Sequence, residues 1–402
     1  MHHSALRIPH SAFRTPHSEM RIAISTSIIQ RGKSGVGQYV LALVRALLHR
    51  PGDHHLVLFV LEQDLPLFDF AVGRAEIVTV PERFRPAVKN IVWHQALLPS
   101  LLRRWRIDVL HVPSYRRLLL RSPCALVATI HDLAPFHVRA KYDAARMFYG
   151  RVVVKHLARR QDEVIAISAN TAHDIERFFG IPKQRQHVIH NGIDHERFHP
   201  GNREQAKTEA ASRWNLAAPF FLFVSRLEHP AKNHLRLIEA FNRFKAETKA
   251  NWLLALGGSD WHGAEIIRAA AAPSPFARDI RFLGFVDDAS LPNLYRAADT
   301  MVYPSLFEGF GLPPVEAMAC GCPVLSSTRG ALAEVVAEAA DKIEPEDIAS
   351  IAAGLQRMAS SETRRERFRQ AGFGNVQRFD WALNADLVLN VYRKALKGKA
   401  EG

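Results

Sequence analysis

Phe307-Glu-Gly-Phe-Gly-Leu-Pro-Pro-Val-Glu-Ala-Met-Ala-Cys-Gly-Cys-Pro-Val-Leu-Ser-Ser327 packs a glycine-bearing loop, a helix and a strand into one short run. Pro313 and Pro314 mark a helix start, because the missing proline N–H would have no partner in a first turn. Gly321 and Pro323 end that helix. Val324 to Ser326 then reads as a buried strand, and Asp299 to Tyr303, just upstream, reads as another. Strand, loop, helix, strand is the repeating unit of a parallel sheet covered by helices, so the chain is of the α/β class. The loop also carries chemistry. Glu308 lies beside Gly309 and Gly311, which let a ligand approach backbone N–H groups, and Glu316 is expected in the first helical turn. The two carboxylates offer acceptors for ligand hydroxyls, and the helix terminus offers donors for anions. Taken singly, either Glu reads equally well as structure, since a first-turn Glu suits the helix dipole and a Gly-Pro loop makes a turn.

Working outward, Phe220 to Ser225 is an apolar strand ending at Arg226, and Lys232-Asn233 opens a helix from Leu235 to Phe244. Two cations near a helix N-terminus suit a diphosphate, with Arg as a planar donor fork and Lys as a point charge; either alone reads as surface charge. Strands at Trp252 to Leu256 and Ile280 to Leu283 and a helix from Ala289 to Ala297 complete a second domain, expected over residues 219–378. Glu344 to Asp347 reads as a helix cap with an acidic first turn. The polar stretch 195–218 reads as a linker.

The first domain is expected over residues 20–194. It opens with a strand from Arg21 to Ser27, a glycine loop, and a helix with Val40, Leu41, Val44, Leu47 and Leu48 at helical spacing. Gly35-x-Gly37 is too short a fingerprint to name a dinucleotide, and no acidic residue ends a second strand at the right distance, which argues against a dehydrogenase. Further strands are expected at Leu56 to Val60, Glu76 to Val80, Ile107 to His111, Ala125 to Ile130 and Val164 to Ile167. The strand ending at Ile130 delivers His131-Asp132 at its carboxyl end, where open α/β sheets place ligand-contacting groups; a lone His there is otherwise a structural residue. Ser168 reads as a helix cap. The amphipathic segment Ile91 to Trp105 mixes basic and aromatic residues and suits either an anionic membrane surface or an Arg-rich solvated face beside a core Trp.

With 402 residues, 48% of them hydrophobic, the chain suits two domains with a core each. A formal charge of +13 attracts polyanions, anionic headgroups or a phosphorylated substrate. Three cysteines without paired metal spacing point to a reducing, cytoplasmic setting and against a disulfide framework. No apolar run approaches the roughly 20 residues of a membrane-spanning helix. Residues 1–19 repeat His-Ser-Ala-Leu-Arg-Ile-Pro and His-Ser-Ala-Phe-Arg-Thr-Pro, so they are expected to be a disordered leader ahead of a native start at Met20.

The run Phe307 to Ser327 resembles the Glu-x7-Glu signature of retaining GT-B glycosyltransferases, family 4 (group 1), and the resemblance extends from Met20 to about Leu396. It implies two Rossmann-like domains facing a cleft, with a final helix, residues 379–402, crossing back to the first domain near Phe379-Asp-Trp381. Asn191-Gly-Ile-Asp194 looks like the motif that closes the first domain. The resemblance implies that Glu308 holds hydroxyls of a donor sugar and Glu316 the ribose of its nucleotide, with Gly309, Phe310, Gly311 and Leu312 along the donor. It likewise implies that Arg226 and Lys232 neutralise the pyrophosphate, that Gly35 and Gly37 lie under the phosphates and sugar, and that His131 faces the sugar, with Ser168 in the cleft. The leaving diphosphate would take the acceptor proton.

Thr129-Ile-His-Asp-Leu together with the Phe307 run looks most like the mannosyltransferase-like branch that builds O-antigen and other polysaccharides. The expectation is therefore mannose transfer from GDP-mannose to a saccharide or lipid-linked saccharide at the cytoplasmic membrane face. A UDP-sugar donor and a GT-B-like epimerase are the alternatives, and a non-catalytic polyanion-binding protein is the reading from another class. No Asp-x-Asp pair occurs, so no metal cofactor is expected. No helix-turn-helix, zinc or RNA-sheet motif points to nucleic acid.

Overall fold

The computed structural model describes residues 19–32, 34–137 and 149–401. The heptad leader and its expected disorder lie outside the described residues, apart from Glu19. Among the described residues, two all-parallel sheets divide the chain. The first comprises β1 (Met20–Ser25), β2 (His54–Leu61), β3 (Glu76–Val80), β4 (Val109–Val112), β5 (Ala125–Ile130), β6 (Glu163–Ala166) and β7 (Gln186–Val188), in the order β3-β2-β1-β4-β5-β6-β7. The second comprises β8 (Phe220–Val224), β9 (Leu253–Gly257), β10 (Ile280–Gly284), β11 (Thr300–Tyr303), β12 (Val324–Ser327) and β13 (Ala340–Ile343), in the order β10-β9-β8-β11-β12-β13. Both orders reverse beside the opening strand of their sheet, between β1 and β4 and between β8 and β11. Crevices outside the carboxyl ends of strands at such reversals are where open α/β sheets bind ligands.

The strands are near-continuous apolar runs because both faces are covered. In β1 and β2, alternate residues feed opposite cores: Ala23, Val57 and Phe59 one, Ile24, Leu58 and Val60 the other. The helix Trp381–Glu401 completes the second of these, burying Ala385, Val388, Leu389 and Tyr392 against the first sheet. The chain enters that helix where the domains meet: the Ile193 N–H donates to the Phe379 carbonyl at 3.1 Å.

Three expectations need correction. The stretch 195–218 is not a bare linker but holds the helix Arg203–Trp214, which buries Ala206 and Ala210 in the core of the second domain. Two buried alanines on a mostly polar helix leave no apolar periodicity to read. Ile91 to Trp105 belongs to two helices, Ala87–Ala96 and Leu98–Arg104, separated at Leu97 ahead of Pro99. Finally, β7 and β13 were not expected, being short and carrying polar residues.

Candidate active site

The second-domain wall of the cleft is built at the β8–β11 reversal. Asn233 is buried and donates through its side-chain amide to the carbonyls of Pro304 at 3.0 Å and Pro345 at 2.6 Å. This ties the start of the helix His234–Thr248 to the loop after β11, as does the Leu306 N–H donating to the Ala231 carbonyl. Lys232 is thereby set against Glu308: its Nζ donates to Glu308 Oε1 at 2.6 Å, and the Tyr303 hydroxyl donates to the same oxygen at 3.0 Å. Burial and the Glu308 charge push the Tyr303 phenol well above its ordinary pKa, so it stays a donor. Beside Lys232, burial pushes His234 down to about 3 and keeps it neutral. Arg226 takes another direction. Its guanidinium lies over the Trp261 ring, 4.7 Å from the centroid, and donates to Glu228 at 3.2 Å.

Glu316 departs from expectation. The helix begins at Leu312 after a left-handed Gly311 (φ 101°), so Glu316 falls beyond the first turn and gains little from the free amides there. Burial of its carboxyl pushes its pKa up to about 7, against the Tyr295 hydroxyl that donates to it at 3.0 Å. The group is thus poised between acceptor-only and donor states at neutral pH.

On the first-domain wall, His131 follows β5. Burial pushes its imidazole down to about 4, despite the Asp132 charge and a hydrogen bond to the Pro113 carbonyl. Nε2 has no hydrogen-bond partner among the described residues, so the bond to Pro113 leaves from Nδ1 and Nε2 carries a lone pair. Tyr39 meets the ring edge-on, with centroids 4.7 Å apart. The two glycines of the first loop differ. A Cβ on Gly35 would meet nothing within 4 Å, whereas one on Gly37 would lie 2.5 Å from the Ile29 carbonyl oxygen. Gly35 borders open space; Gly37 serves packing.

The walls touch. A Cβ on Gly309 would lie 2.0 Å from the His131 carbonyl oxygen, so only glycine permits this approach. Ser168 caps the helix Ala169–Asp174, and its Oγ donates to the Gly309 carbonyl at 2.9 Å. That hydroxyl is fully buried and committed to the domain contact, so Ser168 does not face the cleft as expected. Phe310 is likewise turned away, packing edge-on to Phe379 at 5.4 Å, and Leu312 packs on the core of the second domain. Glu334 crosses the interface to accept from His190 Nε2 at 2.5 Å and from the Ala169 N–H at 2.9 Å. Burial works to raise its pKa, yet these hydrogen bonds hold it below the ordinary carboxylate value. His137, bonded to Asp174 at 2.7 Å, stacks on Phe307 at 4.5 Å.

The structure therefore brings Glu308, Lys232, His131 and Gly309 together, places Glu316 further along the second domain with Tyr295, and leaves Arg226 on the Trp261 side. Sequence reasoning missed Tyr303, Tyr295, Trp261 and Glu334. Tyr303 alone had a legible signal, ending the strand that feeds the Glu308 loop. Among the described residues, no three His, Cys, Asp or Glu side chains converge to hold a metal ion.

Two family descriptions match the chain in succession: Glycosyltransferase Family 4 over residues 33–197 and Glycosyl transferases group 1 over residues 204–374. The chain is similar to the O-antigen chain mannosyltransferase B of Escherichia coli, with 26% identity over 396 residues that span 93% of this chain and 100% of that protein. Its fold matches the sucrose-phosphate synthase of Thermosynechococcus elongatus with a TM-score of 0.76 at 20% identity, covering 94% of this chain and 100% of the other. It matches Anabaena HepE in complex with UDP and glucose with a TM-score of 0.73 at 18% identity, covering 94% and 100%. These two structures bear on the fold alone, and that fold is GT-B.

Proposed function

We propose, on the premise that this chain belongs to the group 1 glycosyltransferases of the GT-B fold and is mannosyltransferase-like among them, that it transfers mannose from GDP-mannose with retention of anomeric configuration. The acceptor is a saccharide or lipid-linked saccharide in cell-surface polysaccharide assembly. The observation that carries this reading is the match to an O-antigen mannosyltransferase along the whole of that protein.

The residues then take these roles. Lys232, Arg226 and the amides of the helix start stabilise the leaving diphosphate. Glu308 accepts from sugar hydroxyls once the ligand competes for Lys232, His131 Nε2 accepts another from across the cleft, and Glu316 accepts from the ribose. Gly35 leaves room for the phosphates. The C1–O bond to the diphosphate breaks, the acceptor oxygen bonds to C1 on the same face, and the acceptor proton passes to the departing phosphate oxygen. The reaction needs no metal ion. The domain contact at Gly309 and Ser168 excludes water from the sugar.

No helix among the described residues is long and apolar enough to cross a membrane. On the first domain, Val88, Val92, Leu97 and Leu120 are exposed apolar residues, and the same stretch of chain, 87–121, exposes Lys89, Arg103, Arg104 and Arg121. This face docks on the anionic cytoplasmic leaflet, and its test is sedimentation with vesicles containing anionic lipid. Val88→Asp with Val92→Asp should abolish co-sedimentation, and unchanged binding would remove the face from the proposal.

The central test incubates the protein with GDP-mannose or a panel of UDP-sugars, with and without a mannan-type oligosaccharide, with NMR of the product anomer. Acceptor-dependent GDP release and a retained α-linkage, unaffected by chelator, are expected. Turnover of a UDP-sugar alone would shift the donor, and an isomerised sugar without acceptor would identify an epimerase. Activity lost in chelator and restored by Mn²⁺ would overturn metal independence.

A further inference from the structure

Trp261 is an exposed aromatic with no place in the core, at 53% accessibility. It lies in the loop after β9, the parallel neighbour of β8, so its loop and the Arg226 loop emerge side by side at the carboxyl edge of the sheet. The two loops are locked together. The Leu227 N–H donates to the Ser259 carbonyl at 3.0 Å, the Trp261 N–H donates to the Leu227 carbonyl at 3.2 Å, and a Cβ on Gly258 would lie 1.9 Å from the Ser225 carbonyl oxygen. The indole is therefore held by backbone rather than by burial, and the guanidinium of Arg226 covers it at 4.7 Å from the ring centroid. Glu228 accepts from one guanidinium nitrogen at 3.2 Å, while the Arg226 side chain stays 47% exposed.

An arginine stacked on a ring loses its face to the aromatic and keeps its N–H edge for anions, in one orientation and with less rotamer freedom left to lose. We infer that Trp261 is a positioning residue that holds the Arg226 guanidinium edge-on for the diphosphate of the nucleotide donor. This rests on the nucleotide-sugar transfer proposed above. The binding energy is realised through Arg226, so the two residues act as one unit.

The test measures GDP affinity by calorimetry, with UDP in parallel, and steady-state donor kinetics for wild type, Trp261→Ala, Trp261→Phe, Arg226→Ala and the double alanine variant. Trp261→Ala should weaken GDP binding about five- to tenfold and raise the donor KM with little change in kcat. Trp261→Phe should recover most of that loss, and the double variant should bind no worse than Arg226→Ala alone. Full affinity in Trp261→Ala or in Arg226→Ala, no recovery by Phe, or losses that multiply in the double variant would each overturn the assignment. Failure of the wild type to bind either nucleotide would instead refute the transferase reading beneath it.

Discussion

At the scale of single residues, the Lys232–Glu308 pair stores its charges against each other at 2.6 Å with side-chain exposures of 17% and 14%. Removing one partner leaves a largely covered charge unmatched, so Glu308→Ala should cost about 1–3 kcal/mol of stability in urea denaturation. Its turnover should fall about 10²–10³-fold, with Glu308→Gln intermediate in stability. Glu316 carries a pH dependence. Its folded pKa is raised to about 7 by burial, so the neutral form is favoured on folding; the contribution to stability is complete below the unfolded value and is lost as pH rises through about 7. Ligand hydroxyls need the ionised form, so nucleotide affinity should move the opposite way, rising from pH 6 to pH 8. Glu316→Gln should flatten that rise and raise the melting temperature of the ligand-free protein at pH 8 by about 2–4 °C. A calorimetric titration series and a melting scan across pH check both. Both carboxylates were legible in the sequence as a motif, yet the state of each was not. The Tyr295 and Tyr303 hydroxyls that meet them come from elements outside the Phe307 to Ser327 run.

At the scale of elements, the strand-to-helix turns carry the site, and their glycines separate by what surrounds them. Gly37→Ala would drive a Cβ to 2.5 Å from the Ile29 carbonyl oxygen, and should destabilise by about 1–3 kcal/mol in thermal or urea unfolding. Gly35→Ala meets open space and should leave stability within about 0.5 kcal/mol while weakening nucleotide-sugar binding. Sequence spacing could not distinguish these neighbours, because both read as glycines of one turn. Strands with near-continuous apolar residues, such as Phe220–Val224 and Ala125–Ile130, were legible for the physical reason that a parallel strand covered on both faces is apolar on both. The helix Arg203–Trp214 was not, since it buries only Ala206 and Ala210.

At the scale of the whole molecule, the Gly309 loop of the second domain rests on the His131 carbonyl of the first, with Ser168 and Glu334 completing the contact. Gly309→Ala cannot be accommodated at 2.0 Å without separating the domains. Phe310 and Ile167, next to that contact, belong to the buried core of the second domain, so the variant should lower the melting temperature, lose most transferase activity, and show a larger radius of gyration in X-ray scattering. An unchanged radius with full activity would contradict this account of closure. By itself the sequence determined the two α/β halves and the glycine-bearing carboxylate loop between a strand and a helix of the second. These are encoded in local periodicity, in glycine and proline punctuation, and in residue types at strand ends. Only the tertiary structure decided that Ser168 and Phe310 face the domain contact, that Arg226 stacks on Trp261, and that burial lifts Glu316 to about 7. Such assignments depend on which distant side chain fills the space around a group and on how much water it excludes, and neither quantity is a property of neighbours along the chain.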